Sequence, residues 1–155
     1  MHSRRIALAA CMLAWISVSA SAPGAQDVPV QIRDAWIRWL PGELPAGGYL
    51  TLVNSGDRPS SLIAASCPDY AEVSLHRSRT VAGTTRMMPV HDITVAAHAT
   101  LAFEAQGYHL MLMQPATPVK PGMRVTIILR FADAPPMPVE FEVRNPDGSR
   151  AAPTQ

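Results

Sequence analysis

Residues 123–131 read Met-Arg-Val-Thr-Ile-Ile-Leu-Arg-Phe. Val125, Ile127, Leu129 and Phe131 occupy alternate positions, with Arg124, Thr126 and Arg130 between them. A period of two with charged residues interleaved describes a strand that buries one face. The same reading holds for Pro138–Val143. Working back from there, further short runs are bounded by Pro, Gly, Asn and Asp. Val28–Leu40 places Val30, Ile32 and Trp36 among its apolar positions and ends at Pro41-Gly42. Gly48–Asn54 closes in the turn Asn54-Ser55-Gly56-Asp57. Ser60–Ser66, Ala71–His76, Thr84–Val90, Thr100–Glu104 and Tyr108–Met113 complete a set of nine predicted strands. No stretch has the period of an amphipathic helix, and 15 prolines argue against a helical bundle. The pattern is all-β, a single domain of the β-sandwich or small Greek-key barrel kind.

The chain has 155 residues, 48% of them apolar and 16% charged, enough for one domain with its own core. Its formal charge is +1, and Lys120 is the single lysine. With no run of basic residues, a nucleic-acid groove is not expected.

Residues 1–25 read as an export signal. Arg4 and Arg5 precede an apolar run over 6–18, and small residues follow. That run of 13 is shorter than the roughly 20 residues of a membrane span, so no stable membrane insertion is expected. Cleavage fits after Ala20 or Ala25. A lipobox-like Leu8-Ala9-Ala10-Cys11 is also present, with only a short apolar stretch ahead of the cysteine. The expected location is the periplasm. From Gln26 onward, Lys and Arg number 11 against 12 Asp and Glu, a net charge of −1. Only Cys67 remains, which rules out a disulfide within that segment. The predicted domain spans 26–144. Residues 145–155 lack apolar periodicity and are expected to form a flexible tail.

The chemistry concentrates in Tyr108-His109-Leu110-Met111-Leu112-Met113. In a strand, His109, Met111 and Met113 share one face while Tyr108, Leu110 and Leu112 share the other. The leucines suit a core. The opposite face carries an imidazole and two thioethers, which packing alone would leave as a surface histidine and two gap-filling methionines. His76 ends the predicted strand 71–76 on the face opposite Val73 and Leu75, and Met87 opens Met87-Met88-Pro89-Val90. Two imidazoles and two thioethers form a soft donor set, poor for Mg, Ca or Zn and suited to Cu(I). Unlike paired cysteines, it is not at risk of becoming a disulfide in an oxidising compartment.

His76 is followed after ten residues by Met87, and after twenty-one more by His109-Leu110-Met111. In this spacing the chain resembles the periplasmic copper chaperones associated with assembly of the CuA centre of cytochrome c oxidase (PCuAC-like). The flanking segments are similar too: AEVSLH (71–76), RMMPV (86–90), GYHLMLM (107–113), PVKPGMRVTIILRF (118–131) and DAWIRWLPGELPAGGYLTLVNSGD (34–57). The resemblance runs from Val28 to Val143. It implies a cupredoxin-like β-sandwich binding one Cu(I) per chain through His76, Met87, His109 and Met111. A loop over Arg77–Arg86 would help bring them together. It also implies a monomer that passes copper by ligand exchange to an acceptor, cytochrome c oxidase subunit II, directly or through a thiol-bearing assembly factor.

Some relatives have a His- and Met-rich C-terminal extension suited to Cu(II); the tail here has neither residue. Met88 and Met113 stand as spare sulfur donors, expected to pack and otherwise accessory. Cys67 reads as a free thiol, and His91 and His98 as turn or loop residues. No catalytic triad, paired carboxylates or phosphate loop appears, so no enzyme activity is expected. Two other readings stay open from the residues: a periplasmic copper buffer, and a metal-free interaction module.

Overall fold

The computed structural model describes residues 29–42 and 44–152; the segment read as an export signal lies outside them. The described residues form ten strands. These are β1 (Val30–Arg38), β2 (Ala46–Asn54), β3 (Ser60–Ser66), β4 (Tyr70–Val81) and β5 (Thr84–Pro89). Then come β6 (Ile93–Val95), β7 (Thr100–Ala102), β8 (Tyr108–Pro115), β9 (Arg124–Phe131) and β10 (Met137–Arg144). Hydrogen bonding follows the path β5-β4-β8-β2-β1-β10-β9-β3-β6, with β7 also on β2. All pairs are antiparallel except β1 with β10. The strand order departs from chain order through Greek-key crossovers.

The path closes over one core. Leu52, Leu62, Leu110, Leu112, Ile127, Leu129, Phe141 and Val143 are fully buried within a single cluster. Every second residue of β8 and β9 feeds this cluster, as alternation requires, so Leu110 and Leu112 face inward and His109, Met111 and Met113 face outward.

Strand β1 departs from the expected alternation. Asp34 has φ of +50° and sits at a bulge where the register with β2 shifts between Arg33 and Trp36. One extra residue reverses the facing of everything after it. Val30 lies in the core before the bulge; after it, Ile37 takes the core position and Trp36, expected there, turns to the outer face. Asp tolerates the left-handed conformation better than most residues, which is the local reason for the bulge to sit there.

Two further expectations are corrected. His76 does not end its strand: β4 continues to Val81. Arg77–Arg86 is no loop but a hairpin, with the turn Ala82-Gly83 at φ of +50° and +78° joining β4 to β5. Positive φ at both central residues gives the primed turn that matches strand twist. Strand β6 was absent from the sequence reading because three residues are too few to display a period. The Asn54 side-chain amide fixes it by donating to the Val95 and Ala96 carbonyls. After β10, the first residues of the segment read as a tail fold back: Asn145 N–H donates to the Ser149 carbonyl, Gly148 lies against the Trp36 ring, and Arg150 Nε donates to Glu142.

Because Leu110 lies fully buried directly beneath the outward residues of β8, Leu110→Ala is expected to cost about 2–5 kcal/mol of stability. Urea denaturation should show a lower midpoint with an unchanged slope.

Candidate metal centre

The outer face of β4, β8 and β5 carries the residues of interest. Leu75 pairs with Leu110 and Val73 with Leu112 on the inward side. The intervening pairs therefore face outward: His76 opposite His109, Ser74 opposite Met111, and Glu72 opposite Met113. On the other flank of β4, Met87 lies opposite Ser78, and so shares the face of His76. His76, Met87, His109 and Met111 thus occupy three successive rows of one face. Met87 is in the first, the two histidines in the second and Met111 in the third.

Small residues surround them. Ser78 and Ser74 are the β4 members of the first and third rows, Gly107 receives the Ser78 N–H at its carbonyl, and Gly47 is the register partner of Met111 on β2. These positions leave space above the sheet where larger side chains would fill it. Met87, His109 and Met111 line one small cavity of about 70 Å³, with Arg38, Gly47 and Tyr49 among its other walls. His76 adjoins through His109, the two ring centroids lying 6.0 Å apart.

The hydrogen bonding of the two imidazoles is incomplete in a specific way. His109 is 3% exposed; its Nδ1–H donates to the Gly107 carbonyl at 3.2 Å. That bond fixes the tautomer of the neutral ring and leaves the lone pair on Nε2, which is buried without a partner. His76 Nε2 lies 3.1 Å from Ser74 Oγ, and its Nδ1 is likewise buried and unpartnered. Buried polar atoms without partners are rare because each forfeits its hydration. Two of them on facing imidazoles, beside two thioethers, fit a soft metal ion as the missing partner. Among the described residues no three His, Cys, Asp or Glu side chains come together.

Burial lowers the affinity of both rings for protons. For His76 the carboxylate of Glu72 opposes this in part; for His109 the Gly107 bond opposes it, while His76 and the Arg38 guanidinium add to it. The neutral form that ligates a metal is therefore the favoured one.

The remaining candidates separate clearly. Met88 pairs with Arg77 and points to the opposite face, half-exposed. Met113 shares the face of Met111 but sits opposite Glu72, one row farther from the histidines, and lines a different depression with Pro45 and Gln114. Cys67 bridges to Tyr70 at the start of β4 and packs against the core, its thiol pushed up by burial. His91 is exposed, and His98 is held by Asp57 at 2.9 Å in a separate turn. The sequence reading missed the serines and glycines that clear space around the donors. Ser74 and Ser78 flank His76 at strand spacing, and that was their signal.

Residues 30–143 match the family described as "Putative lipoprotein LpqE-like". A "Putative lipoprotein Lxx21020" of Leifsonia xyli subsp. xyli is 27% identical over 135 residues, 86% of this chain and 81% of its own length. Among solved structures, the copper-bound PCuAC domain from PmoF2 superposes with a TM-score of 0.64 at 25% identity, covering 76% of this chain and 94% of that domain. The CuI-DR1885 solution structure from Deinococcus radiodurans superposes with a TM-score of 0.59 at 30% identity, covering 78% of this chain and 82% of that one. The cupredoxin-like sandwich expected from the sequence is the fold observed.

The lowered proton affinities carry a pH dependence. In the metal-free protein the unfolded chain, whose histidines titrate near 6.5, takes up protons before the folded one does. Stability from this source is complete above about pH 6.5 and declines as pH falls below it. Urea midpoints from about pH 7 to 5 should fall, and His76→Gln/His109→Gln should flatten that decline. An unchanged decline in the double variant would place the loss elsewhere.

Proposed function

The chain belongs to the LpqE-like family, and from that premise we propose that it is an exported copper chaperone of the PCuAC type. In this reading it captures one Cu(I) with His76, Met87, His109 and Met111. Domains of the same fold are described copper-bound and CuI-bound. The observation that carries the assignment to these four residues is the pair of orphaned imidazole nitrogens, His76 Nδ1 and His109 Nε2, on the face that also presents Met87 and Met111.

The four donors differ in exposure, and this suits transfer better than storage. His109 is buried and anchored by its Gly107 bond; Met87, on the outermost strand β5, is 49% exposed. A thioether is a weak, neutral donor on a flexible stem, so an incoming ligand displaces it first. Exchange then proceeds inward from Met87 toward His109, with no moment at which copper is free. The acceptor best suited to this chemistry offers imidazole, thioether or thiolate donors. The CuA site of cytochrome c oxidase subunit II, reached directly or through a thiol-bearing assembly factor, is the acceptor we propose. Residues 1–25 then serve to export the protein to the periplasm.

Anaerobic Cu(I) titration against a chromogenic competitor should give one equivalent. His109→Ala and Met111→Ala should each weaken binding by at least about tenfold, the effect of losing 1.4 kcal/mol. Met88→Ala should leave it unchanged. Equal binding in all four proteins would remove this site. Under copper limitation, cells lacking the protein should lose oxidase activity, whereas loss of a buffer would spare it.

A further inference from the structure

Resting on the Cu(I) reading above, we propose that Arg38 selects the oxidation state of the copper, holding Cu(II) out of a site that accepts Cu(I). Arg38 reaches the site because of the Asp34 bulge, which turns residues 36 and 38 outward and leaves Ile37 in the core. Without that extra residue Arg38 would alternate inward. Its register partner on β2 is Gly47, which in turn faces Met111 on β8. Gly47 itself puts no side chain between Arg38 and Met111; the Tyr49 phenol lies over it, and Arg38 and Met111 line the same cavity with Tyr49, Met87 and His109. Gly47 has little freedom to change, because a Cβ there would lie 2.7 Å from Tyr49 Oη.

Among the described residues the carboxylate felt at the donors is that of Glu72, acting on His76, and none pairs with Arg38. The Arg38 Nε is buried without an acceptor. Its guanidinium lies 5.7 Å over the Tyr49 ring, whose hydroxyl is kept neutral by burial. Arg144, its register partner on β10, is neutralised by Glu142. A guanidinium cannot shed its proton at any ordinary pH, so the cavity keeps one fixed positive charge on its wall. The donor set supplies nothing to offset it: two neutral imidazoles and two thioethers, with no thiolate or carboxylate.

Cu(II) carries one unit of charge more than Cu(I), so the repulsion from Arg38 falls more heavily on it. Arg38 on β1 is two strand spacings of about 4.8 Å from β8, and a unit charge at about that separation, at an effective dielectric constant near 20, shifts the ratio of the two affinities by about tenfold. A neutral side chain at position 38 removes that bias, and a lysine keeps it. A merely structural role, holding Tyr49 in place, would instead depend on the planar guanidinium and weaken both oxidation states alike.

The test measures Cu(I) and Cu(II) affinities separately, by competition with chelators, in the wild type, R38K, R38Q and R38M, with the reduction potential of the bound copper recorded alongside. R38Q should favour Cu(II) relative to Cu(I) by about tenfold and lower the potential, while R38K stays with the wild type. R38M fills the place with an apolar chain and serves if R38Q does not fold. A ratio that stays put in R38Q and R38M, or that moves as far in R38K, overturns the role of Arg38 and leaves the Cu(I) site standing. A wild type that binds no Cu(I) overturns both.

Discussion

The site depends on one alignment, the register of β4 against β8. With Leu75 opposite Leu110 and Val73 opposite Leu112 on the core side, His76 has to stand opposite His109 and Ser74 opposite Met111 on the other. A one-residue slip of β4 would carry His76 inward and turn Leu75 out to solvent. Core burial thus fixes the pairing of the two imidazoles, and no interaction between them is needed. Leu110 and Leu112 are completely buried, so the hydrophobic term that holds this register is among the largest available to the domain.

That register sets a cost on the outer face. His109 is buried with a lone pair that nothing in the protein satisfies, and His76 has an unpartnered nitrogen of its own. Each such group costs on the order of 1–3 kcal/mol relative to its hydrated state. The fold tolerates this through the extensive core beneath, and a soft metal at the face would offset it. The proposed capture and release would both draw on this arrangement, with an anchored, buried histidine on one side and an exposed thioether on the other.

Much of this was legible in the sequence because strand alternation is a local signal. Val125 to Phe131 and Leu110 to Leu112 declared their facing directly, and so did the outward set His109 and Met111. Beyond alternation, the spacing from His76 to Met87 to His109 rests on resemblance, and the hairpin explains it: Ala82-Gly83 returns the chain so that Met87 lies opposite Ser78, beside His76. What stayed hidden was non-local or too short. A single bulged residue at Asp34 reversed Trp36 and brought Arg38 to the site, and no periodicity count registers one extra residue within a nine-residue strand. The continuation of β4 over 77–81 read as a loop because Arg77-Ser78-Arg79-Thr80 carries no apolar residue to show an alternation. Strand β6 needs its neighbours, β3 and the Asn54 amide, to exist at all.

In the site proposed above, copper is held by imidazole nitrogen and thioether sulfur from one face of the β4–β8–β5 sheet. X-ray absorption at the copper edge of the Cu(I)-loaded protein addresses it directly. The expected result is a mixed shell of nitrogen and sulfur donors that persists in Cys67→Ser and loses sulfur in Met87→Ala/Met111→Ala. A shell of nitrogen and oxygen alone, or one whose sulfur disappears with Cys67, would contradict it.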